Sequence, residues 1–367
     1  MRILYIVPGI NNEGGVARVL SVKANYFVEN FGYEVHILTQ NGGNSPLFFS
    51  FIDTIYLHDM VMKGNKISFF LQYVKALKKA LTTINPDLII VCDNGLKAYS
   101  IPFILKTKTP IIFECHGSKY IEENKQRKYF LSEKIKFAFK EFSANKFAKF
   151  IGLSKESLNE WNLTNSDIIP NPLWFKTSQL AHLKSKKVII VGRHSYEKGL
   201  DRMLKIWQKV IINYPDWRLE IYGKSNENQE LQKLANALNI GNNVTFFKPV
   251  KNINDKYLEA SILAMTSRTE GFPMVLIEAM AIGLPVIAYD CPVGPRSIII
   301  NNENGFLVEN GNLDMFVQKM ELLIEDENLR IQMGKNAKNS VSKYDLETIM
   351  QQWKSLFEHL AKNNSIL

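Results

Sequence analysis

The 367-residue sequence lacks three features that would assign it to particular classes of protein. It has no uninterrupted apolar run of about 18 residues, so we expect no membrane-spanning helix. Its three cysteines, Cys92, Cys115 and Cys291, are too widely spaced for a disulfide framework or a metal site and favour a reducing, cytoplasmic environment. It also has no Asp-x-Asp, a common carboxylate cradle for a divalent metal, and we therefore expect no metal cofactor.

The composition is that of an ordinary globular protein, but the charge is uneven. Hydrophobic residues make up 46% and charged residues 22% of the chain, and the length is sufficient for two domains. The formal net charge is +9, and residues 119–155 alone carry ten Lys or Arg against four Glu, a net +6. The candidate partners of this basic region are a nucleic acid, an anionic membrane surface and an acidic acceptor.

Short β-rich runs alternate with helical patterns along the chain, which is typical of parallel α/β layers. Two prolines at 170 and 172 interrupt this rhythm, and we expect a domain boundary near residues 171–185. The pattern predicts an α/β protein with two Rossmann-like domains facing across a cleft, and ligands beyond the carboxyl ends of the strands. The expected strands are residues 3–7, 35–39, 87–92, 111–114, 150–153, 187–191, 219–222, 244–247, 262–266 and 285–288.

Two glutamates, Glu270 and Glu278, lie in a stretch that is otherwise almost wholly apolar. A buried, ionised carboxylate is costly unless something pairs with it. Pro273 suits the start of a helix, so we expect Glu270 in the loop at its mouth and Glu278 in its second turn. Both can reach one ligand at the helix N-terminus, where free N–H groups favour phosphate. The implied ligand has an anionic centre and hydroxyl-rich ends, the shape of a nucleotide sugar.

Two cations follow the first strand of the second domain, in Gly192-Arg193 and in Lys198-Gly199. The planar fork of an arginine and the point charge of a lysine together suit a diphosphate. The alternative is a solvated turn with routine surface charges.

Two further candidates lie at expected strand ends in the first domain. Gly14 and Gly15 follow the first strand and begin a helix, where glycines let the backbone approach a phosphate closely. A tight strand-to-helix turn explains the two glycines nearly as well. His116 ends the strand that begins at residue 111 and precedes a glycine, where a cleft residue is expected. A histidine with a purely structural partner is the alternative.

Arg296 and residues 134–149 can each be interpreted in two ways. Arg296 follows the strand at 285–288 and either addresses an acceptor or phosphate or only caps the next helix. Residues 134–149 are basic and aromatic, and Ile135, Phe139, Phe142 and Phe150 follow a helical stripe. An amphipathic helix that packs on the sheet explains the stripe, whereas the surplus phenylalanines among lysines suggest a surface that rests on an anionic membrane.

With these residues in hand, the chain resembles the retaining glycosyltransferases of the GT-B fold, family 4, of the type that builds bacterial surface polysaccharides or lipid-linked glycans. The resemblance covers nearly the whole chain. It is strongest over 188–311, in Gly192-Arg193…Lys198-Gly199, in Glu270-Gly-Phe-Pro…Glu278-Ala-Met-Ala-x-Gly-x-Pro and in Asn304-Gly-Phe-Leu-Val. It implies an acceptor-binding domain at 1–172, a nucleotide-sugar-binding domain at 173–343, and a helix at 344–367 that crosses back to the first domain.

The resemblance also implies roles for the matched residues of the second domain. Arg193 and Lys198 would hold the diphosphate and stabilise it as the leaving group, while Glu278 would bind the ribose hydroxyls. Glu270, with backbone amides nearby, would hold the hydroxyls of the donor sugar. Pro273 stands where many relatives carry a glycine, which puts one backbone donor to the ligand in doubt.

In the first domain, the resemblance implies that the Gly14-Gly15 loop closes over the diphosphate and that His116 lies beside the sugar. The implied catalytic residues are Glu270, Lys198, Arg193 and His116. The implied substrate-binding residues are Gly14, Gly15, Arg193, Lys198, Glu270, Gly271, Phe272, Met274, Val275 and Glu278.

The expected activity is that of a retaining hexosyltransferase. It would move a hexose or N-acetylhexosamine from a UDP-sugar to a lipid-linked or cell-surface glycan, without a metal, in the cytoplasm or at the inner face of the plasma membrane. The alternatives are a GT-B sugar-nucleotide epimerase or phosphorylase and, from another class, a non-enzymatic basic protein that binds nucleic acid or membrane. Because no nucleic-acid motif is present and the acidic pair would repel phosphates unless it is neutralised, we expect no nucleic-acid partner.

Overall fold

The computed structural model describes residues 1–43, 45–120 and 131–364. Contacts within the chain divide it into two compact units. The first unit combines Met1–Trp174 with Leu346–Leu367, and the second is Phe175–Asp345. Each unit is built on one parallel sheet.

The first unit has a seven-stranded sheet in the order β3-β2-β1-β4-β5-β6-β7. All of its neighbouring strands pair in parallel. The strands are β1 (Arg2–Ile6), β2 (Glu34–Gln40), β3 (Tyr56–Met60), β4 (Leu88–Val91), β5 (Ile111–Cys115), β6 (Lys149–Gly152) and β7 (Ser166–Ile168). Its helices are α1 (Gly15–Phe31), α2 (Lys66–Ile84), α3 (Leu96–Tyr99), α4 (Ile101–Leu105), α5 (Leu131–Ala144), α6 (Lys155–Asn159) and, at the end of the chain, α14 (Leu346–Asn364).

The second unit has a six-stranded sheet in the order β10-β9-β8-β11-β12-β13, again parallel throughout. The strands are β8 (Lys187–Val191), β9 (Arg218–Tyr222), β10 (Val244–Phe247), β11 (Ile262–Met265), β12 (Val286–Asp290) and β13 (Phe306–Glu309). The helices are α7 (Leu200–Asn213), α8 (Glu230–Ala237), α9 (Asn254–Leu258), α10 (Met274–Ala281), α11 (Pro295–Ile298), α12 (Leu313–Glu325) and α13 (Glu327–Ser340), with single 3-10 turns at Tyr196–Lys198, Gly241–Asn243 and Ser342–Tyr344.

Both sheets are covered on their two faces, which is why their central strands are apolar without alternation. In β4 all four residues are buried, and in β5 all five are, including Glu114. One face of the first sheet packs against α1 and α14, and the other against α2 and its neighbouring helices. In the second unit, α7 supplies the fully buried Trp207 to the core on one face of the sheet.

The last helix, α14, packs within the first unit. Its buried residues Ile349, Met350, Trp353 and Phe357 join the core that α1 and the first sheet form. The ring of Phe357 lies 5.3 Å from that of Phe27 on α1. This packing follows the apolar stripe that the sequence shows at 344–359.

The predicted pair of Rossmann-like parallel sheets is confirmed, with strand bounds shifted by a residue or two. Three strands were not predicted: β3, β7 and β13. All three are sheet edges, and in β3 and β7 most residues stay exposed, so the apolar signal is weak. No helix among the described residues has the length and hydropathy to cross a membrane.

The predicted stripe on residues 134–149 does not form one buried face. Phe150 belongs to β6, and on α5 it is Lys140, Ser143 and Ala144 that are buried, because this face meets the sheet. Ile135 is 61% exposed and Phe142 is 57% exposed. The stripe is therefore divided: Phe139 packs against the core of the first unit, whereas Ile135 and Phe142 are exposed. Residues 121–130 of the basic region lie outside the described residues.

Candidate active site

In both sheets the strand order reverses at one point, and the loops that follow the two strands there border a crevice. In the second unit this point lies between β8 and β11. Arg193 and Lys198 follow β8, and Glu270 follows β11. In the first unit it lies between β1 and β4, so Gly14 and Gly15 lie on the loop after β1. His116 follows β5, the neighbour of β4.

The two loops of the second unit meet at Gly199. This glycine has a φ of +60°, and a Cβ there would lie 2.1 Å from the carbonyl oxygen of Thr266. The Thr266 hydroxyl donates to the Gly199 carbonyl at 2.9 Å. Only a glycine therefore lets the loop after β8 approach the loop after β11 this closely.

Lys198 and Glu270 form a direct ion pair across these loops. Lys198 Nζ lies 2.8 Å from Glu270 Oε1 and 3.0 Å from Oε2. The Ser267 hydroxyl donates to Oε1 at 2.6 Å. Glu270 is 7% exposed, whereas the Lys198 side chain is 29% exposed. The buried carboxylate thus holds a lysine whose ammonium group remains partly open to a ligand.

A second ion pair braces the same loops. Arg268 donates through both terminal nitrogens to the Asp201 carboxylate, at 2.8 and 2.6 Å, and also to the Tyr196 carbonyl at 2.7 Å. Burial alone would raise the pKa of Asp201, but the hydrogen bond and charge of Arg268 outweigh it and lower this pKa. The turn that carries Lys198 is therefore fixed from both sides. Neither Arg268 nor Asp201 carries a sequence signal that would have revealed this role.

Glu278 lies in the second turn of α10, as its spacing from Pro273 predicts. It is 7% exposed, and Oε2 accepts a hydrogen bond from the Tyr257 hydroxyl at 3.0 Å. Pro273 is the N-cap of α10 and offers no side-chain cap, so the first amides of the helix are left for other acceptors. Gly294 packs against this end, where a Cβ would lie 2.6 Å from Pro273 Cδ.

The remaining predicted residues of the second unit differ in burial. Arg193 is exposed, directly after β8. Gly271, Phe272 and Met274 are buried around the start of α10, and Val275 is half-buried.

Arg296 is bound within the protein. Its Nε and a terminal nitrogen donate to the two carboxylate oxygens of Asp290, at 2.9 and 2.6 Å. This bidentate pair with the end of β12 orients the guanidinium, so neither a phosphate nor a helix cap is needed to explain its position.

In the first unit, Gly14 is the N-cap of α1, and its N–H donates to the Asn12 side chain at 2.9 Å. Gly15 is the first residue of the helix and is exposed. The helix has no acidic residue in its first turn. No acidic side chain of the first turn therefore competes with an anion for the first amides of this helix.

His116 belongs to a buried polar cluster that the sequence did not reveal. Glu114, two residues earlier, is 2% exposed, and its Oε1 lies 2.5 Å from Lys23 Nζ and 3.3 Å from His116 Nε2. Its Oε2 accepts from the Cys92 thiol at 3.2 Å. Burial alone would raise the pKa of Glu114, but Lys23 and then His116 outweigh it and hold this pKa well below its ordinary value.

Three members of this cluster have the chemistry of metal ligands. One ligand atom each from Cys92, Glu114 and His116 lie within 4.8 Å of one another. The ammonium group of Lys23 already contacts Oε1 of the same glutamate. The cluster is thus charge-balanced by a lysine.

The chain is similar to known sugar-transferring proteins over nearly its whole length. The family model "Glycosyl transferases group 1" matches residues 175–340, and "Glycosyltransferase Family 4" matches residues 13–173. An uncharacterized glycosyltransferase of Haemophilus influenzae is 31% identical over 97% of this chain and 99% of its own. The amylovoran biosynthesis glycosyltransferase AmsD of Erwinia amylovora is 27% identical over the same shares of both chains.

Among solved structures, a variant of TarM from S. aureus in complex with fondaparinux, alpha-GlcNAc-glycerol and UDP is similar in fold. It superposes with a TM-score of 0.80 over 97% of this chain and 99% of its own, at 16% identity. At this identity the likeness shows the fold alone.

The Lys23–Glu114 pair predicts a specific acid sensitivity. Because the pKa of Glu114 is lowered in the folded state, its contribution is complete above the unfolded pKa, about 4.3, and is lost as the pH falls below that value. Between about pH 4 and pH 3, the free energy of unfolding of the wild type should fall more steeply than that of Lys23→Met/Glu114→Gln. The difference should approach 1.4 kcal/mol per pH unit. Urea unfolding at each pH measures both.

The matched control is Lys149→Met/Asp167→Asn, which removes the more exposed pair of β6 and β7. In this control, the free energy of unfolding should fall with pH as steeply as it does in the wild type. Equal slopes for the wild type and the buried double variant would show that Glu114 is not selectively ionised in the folded state.

Proposed function

The chain belongs to the GT-B glycosyltransferases of family 4, and from this premise we propose that it is a retaining hexosyltransferase that uses a UDP-sugar. It transfers a hexose or an N-acetylhexosamine to a lipid-linked or cell-surface glycan, and it needs no metal ion. The second unit binds the donor, and the first unit binds the acceptor. The observation that carries this proposal is the Lys198–Glu270 pair at the strand-order reversal of the second sheet.

The charges in this crevice suit the leaving group of a sugar nucleotide. Breaking a sugar–phosphate bond builds negative charge on the diphosphate and positive charge on the sugar ring. Lys198, fixed by a buried carboxylate, stabilises that negative charge without having to reorient, and the exposed Arg193 adds a planar fork. These two cations and the start of α10 do the work that a divalent metal does elsewhere, which supports a metal-independent reaction.

Glu278 and Glu270 fit the two hydroxyl-rich ends of the donor. Glu278 accepts from Tyr257 through one oxygen, which orients its carboxylate for the ribose hydroxyls. Glu270, with the amides near Phe272 and Met274, holds the hydroxyls of the sugar. A departing phosphate oxygen takes the proton of the acceptor hydroxyl on the face where it leaves. This gives retention of configuration without a protein nucleophile.

The first unit offers a helix N-terminus at Gly14 and Gly15 and an imidazole at His116. In this proposal the glycine loop lies over the diphosphate and His116 contacts the donor sugar. A glycan acceptor is supported by AmsD, a relative whose name assigns it to amylovoran biosynthesis.

The aromatic surface of α5 supports a further proposal, that the protein docks on an anionic membrane that presents a lipid-linked acceptor at the cytoplasmic face. Phe142 stacks on the 38%-exposed Phe103 at 5.8 Å, and Ile135 lies exposed on the same helix. Lys146 Nζ lies 5.1 Å from the Phe142 ring, and Lys134 is exposed. The exposed apolar side chains suit the acyl region of a bilayer, and the bordering lysines suit its anionic headgroups.

The donor assignment is tested by thermal unfolding with UDP, GDP and ADP in the presence of EDTA. Only UDP should stabilise the protein, by about 2.7 kcal/mol when its concentration is 100 times the dissociation constant. A matching panel of UDP-, GDP- and ADP-sugars should show slow hydrolysis of a UDP-sugar alone. Equal stabilisation by all three nucleotides would contradict the assignment of uracil as the base of the donor. A strict requirement for Mg²⁺ would contradict the metal-independent reaction.

Lys198→Ala should lower kcat by on the order of 10²–10³ at saturating donor, because it removes a cation that acts mainly on the transition state. Steady-state rates of donor hydrolysis or transfer measure this. Lys205→Ala is the matched control, since Lys205 is exposed on α7, outside the crevice residues, and should retain the wild-type rate. An unchanged kcat for the Lys198 variant would discard its role with the leaving group.

Membrane docking is tested by sedimentation with phosphatidylglycerol-rich vesicles at low salt. Ile135→Ser/Phe142→Ser should weaken partitioning roughly tenfold, because two exposed apolar side chains no longer enter the interface. Ile212→Ser removes a side chain that is 76% exposed on the second unit and serves as the control. Equal partitioning of the wild type onto neutral phosphatidylcholine vesicles would count against the electrostatic part of the proposal.

A further inference from the structure

We propose that Glu114 is a positioning residue, which together with Lys23 fixes the tautomer and orientation of the His116 imidazole, and that Trp353 of the last helix holds Lys23 in place. This inference deepens the proposed function, because it concerns how His116 would be presented to the donor sugar. It extends to residues on β5, α1 and α14, none of which carries a sequence motif.

The strand β5 places Glu114 beside His116. Side chains two residues apart in a strand point to the same face, so Ile112 and Glu114 share one. His116 directly follows the strand, and its Nε2 lies 3.3 Å from Glu114 Oε1. Ile112 belongs to the core that α1 and α14 cover. The carboxylate therefore enters the layer between the sheet and these two helices.

Both oxygens of the Glu114 carboxylate are engaged. Oε1 contacts Lys23 and His116, and Oε2 accepts from the Cys92 thiol. A carboxylate held at both oxygens is restrained, and its Oε1 lies 3.3 Å from His116 Nε2, where it favours a proton on that nitrogen. Among the described residues, no protein group bonds Nδ1 of His116. The imidazole thus presents an acceptor nitrogen, suited to a hydroxyl group of a substrate.

Lys23 is itself held by an aromatic ring. Its Nζ lies 3.7 Å from the centre of the Trp353 ring, and Lys23 is 1% exposed. The indole face is the most favourable partner for a cation that has left water. Trp353 is also 1% exposed and is packed in the core of the first unit. The last helix is therefore connected to His116 through Lys23 and Glu114.

Stability alone does not account for this arrangement. Two apolar residues of similar volume serve a core as well as a buried ion pair does, because both charges lose their hydration. Here the Lys23–Glu114 pair is neutral as a unit, so it can orient the neighbouring imidazole without requiring it to be charged. The hydroxyl of Tyr5 is also buried on this side of the sheet, and it has no hydrogen-bond partner among the described residues.

The test uses the full-length protein labelled with ¹⁵N at its six histidines, with the His116 signals assigned through His116→Asn. Nitrogen chemical shifts report which ring nitrogen carries the proton. The wild type should show the Nε2–H tautomer for His116. Lys23→Met/Glu114→Gln removes both charges together, and a methionine retains a favourable contact with Trp353. Because glutamine offers a donor as well as an acceptor, this variant should lose the preference for one tautomer.

The kinetic readout is donor turnover. The double variant should lose about tenfold in kcat while the KM for the donor stays within about twofold, and its circular dichroism should match the wild type. The control Lys149→Met/Asp167→Asn should leave the tautomer, kcat and KM unchanged. An unaltered His116 tautomer in the buried double variant would overturn the proposal, as would an altered tautomer with wild-type kcat. The spectrum needs no substrate, so a wrong donor assignment would leave this first result intact.

Discussion

The contact between Lys198 and Glu270 is the interaction on which the arrangement of the second unit depends. The two residues are 72 positions apart and meet because β8 and β11 are neighbours at the strand-order reversal. Gly199 lets the loops approach, Ser267 and the Arg268–Asp201 pair fix them, and the start of α10 lies beside them. A lysine held in this way is a preorganised charge, and preorganised charge is what a leaving diphosphate requires.

The two units have a similar ion pair at their candidate sites. In each, a buried glutamate is paired with a lysine, Glu270 with Lys198 and Glu114 with Lys23. Compared with apolar residues of similar volume, such pairs add little to stability, because the desolvation cost offsets the attraction. Their value is geometric. In the second unit the lysine itself remains partly exposed, whereas in the first both charges are buried and only the adjoining His116 remains to meet a ligand.

The sequence predicted much of the fold because parallel strands covered on both faces have a strong apolar signal. It missed β3, with its exposed Tyr56 and Leu57, and the three-residue β7, because edge strands lack that signal. Strand-end motifs identified Lys198, Glu270 and Glu278 as candidates. Their pairing could not be predicted, because it depends on which strands are neighbours. Glu114 looked like one more residue of a buried strand, and only the packing of α1 and α14 shows its partners.

The most direct test of the central claim is a crystal structure of the protein with UDP. The account predicts oxygens of the terminal phosphate roughly 3 Å from Lys198 Nζ and from the Arg193 guanidinium, with the ribose hydroxyls on the Glu278 carboxylate. A diphosphate bound away from Lys198, or a ribose turned away from Glu278, would contradict it.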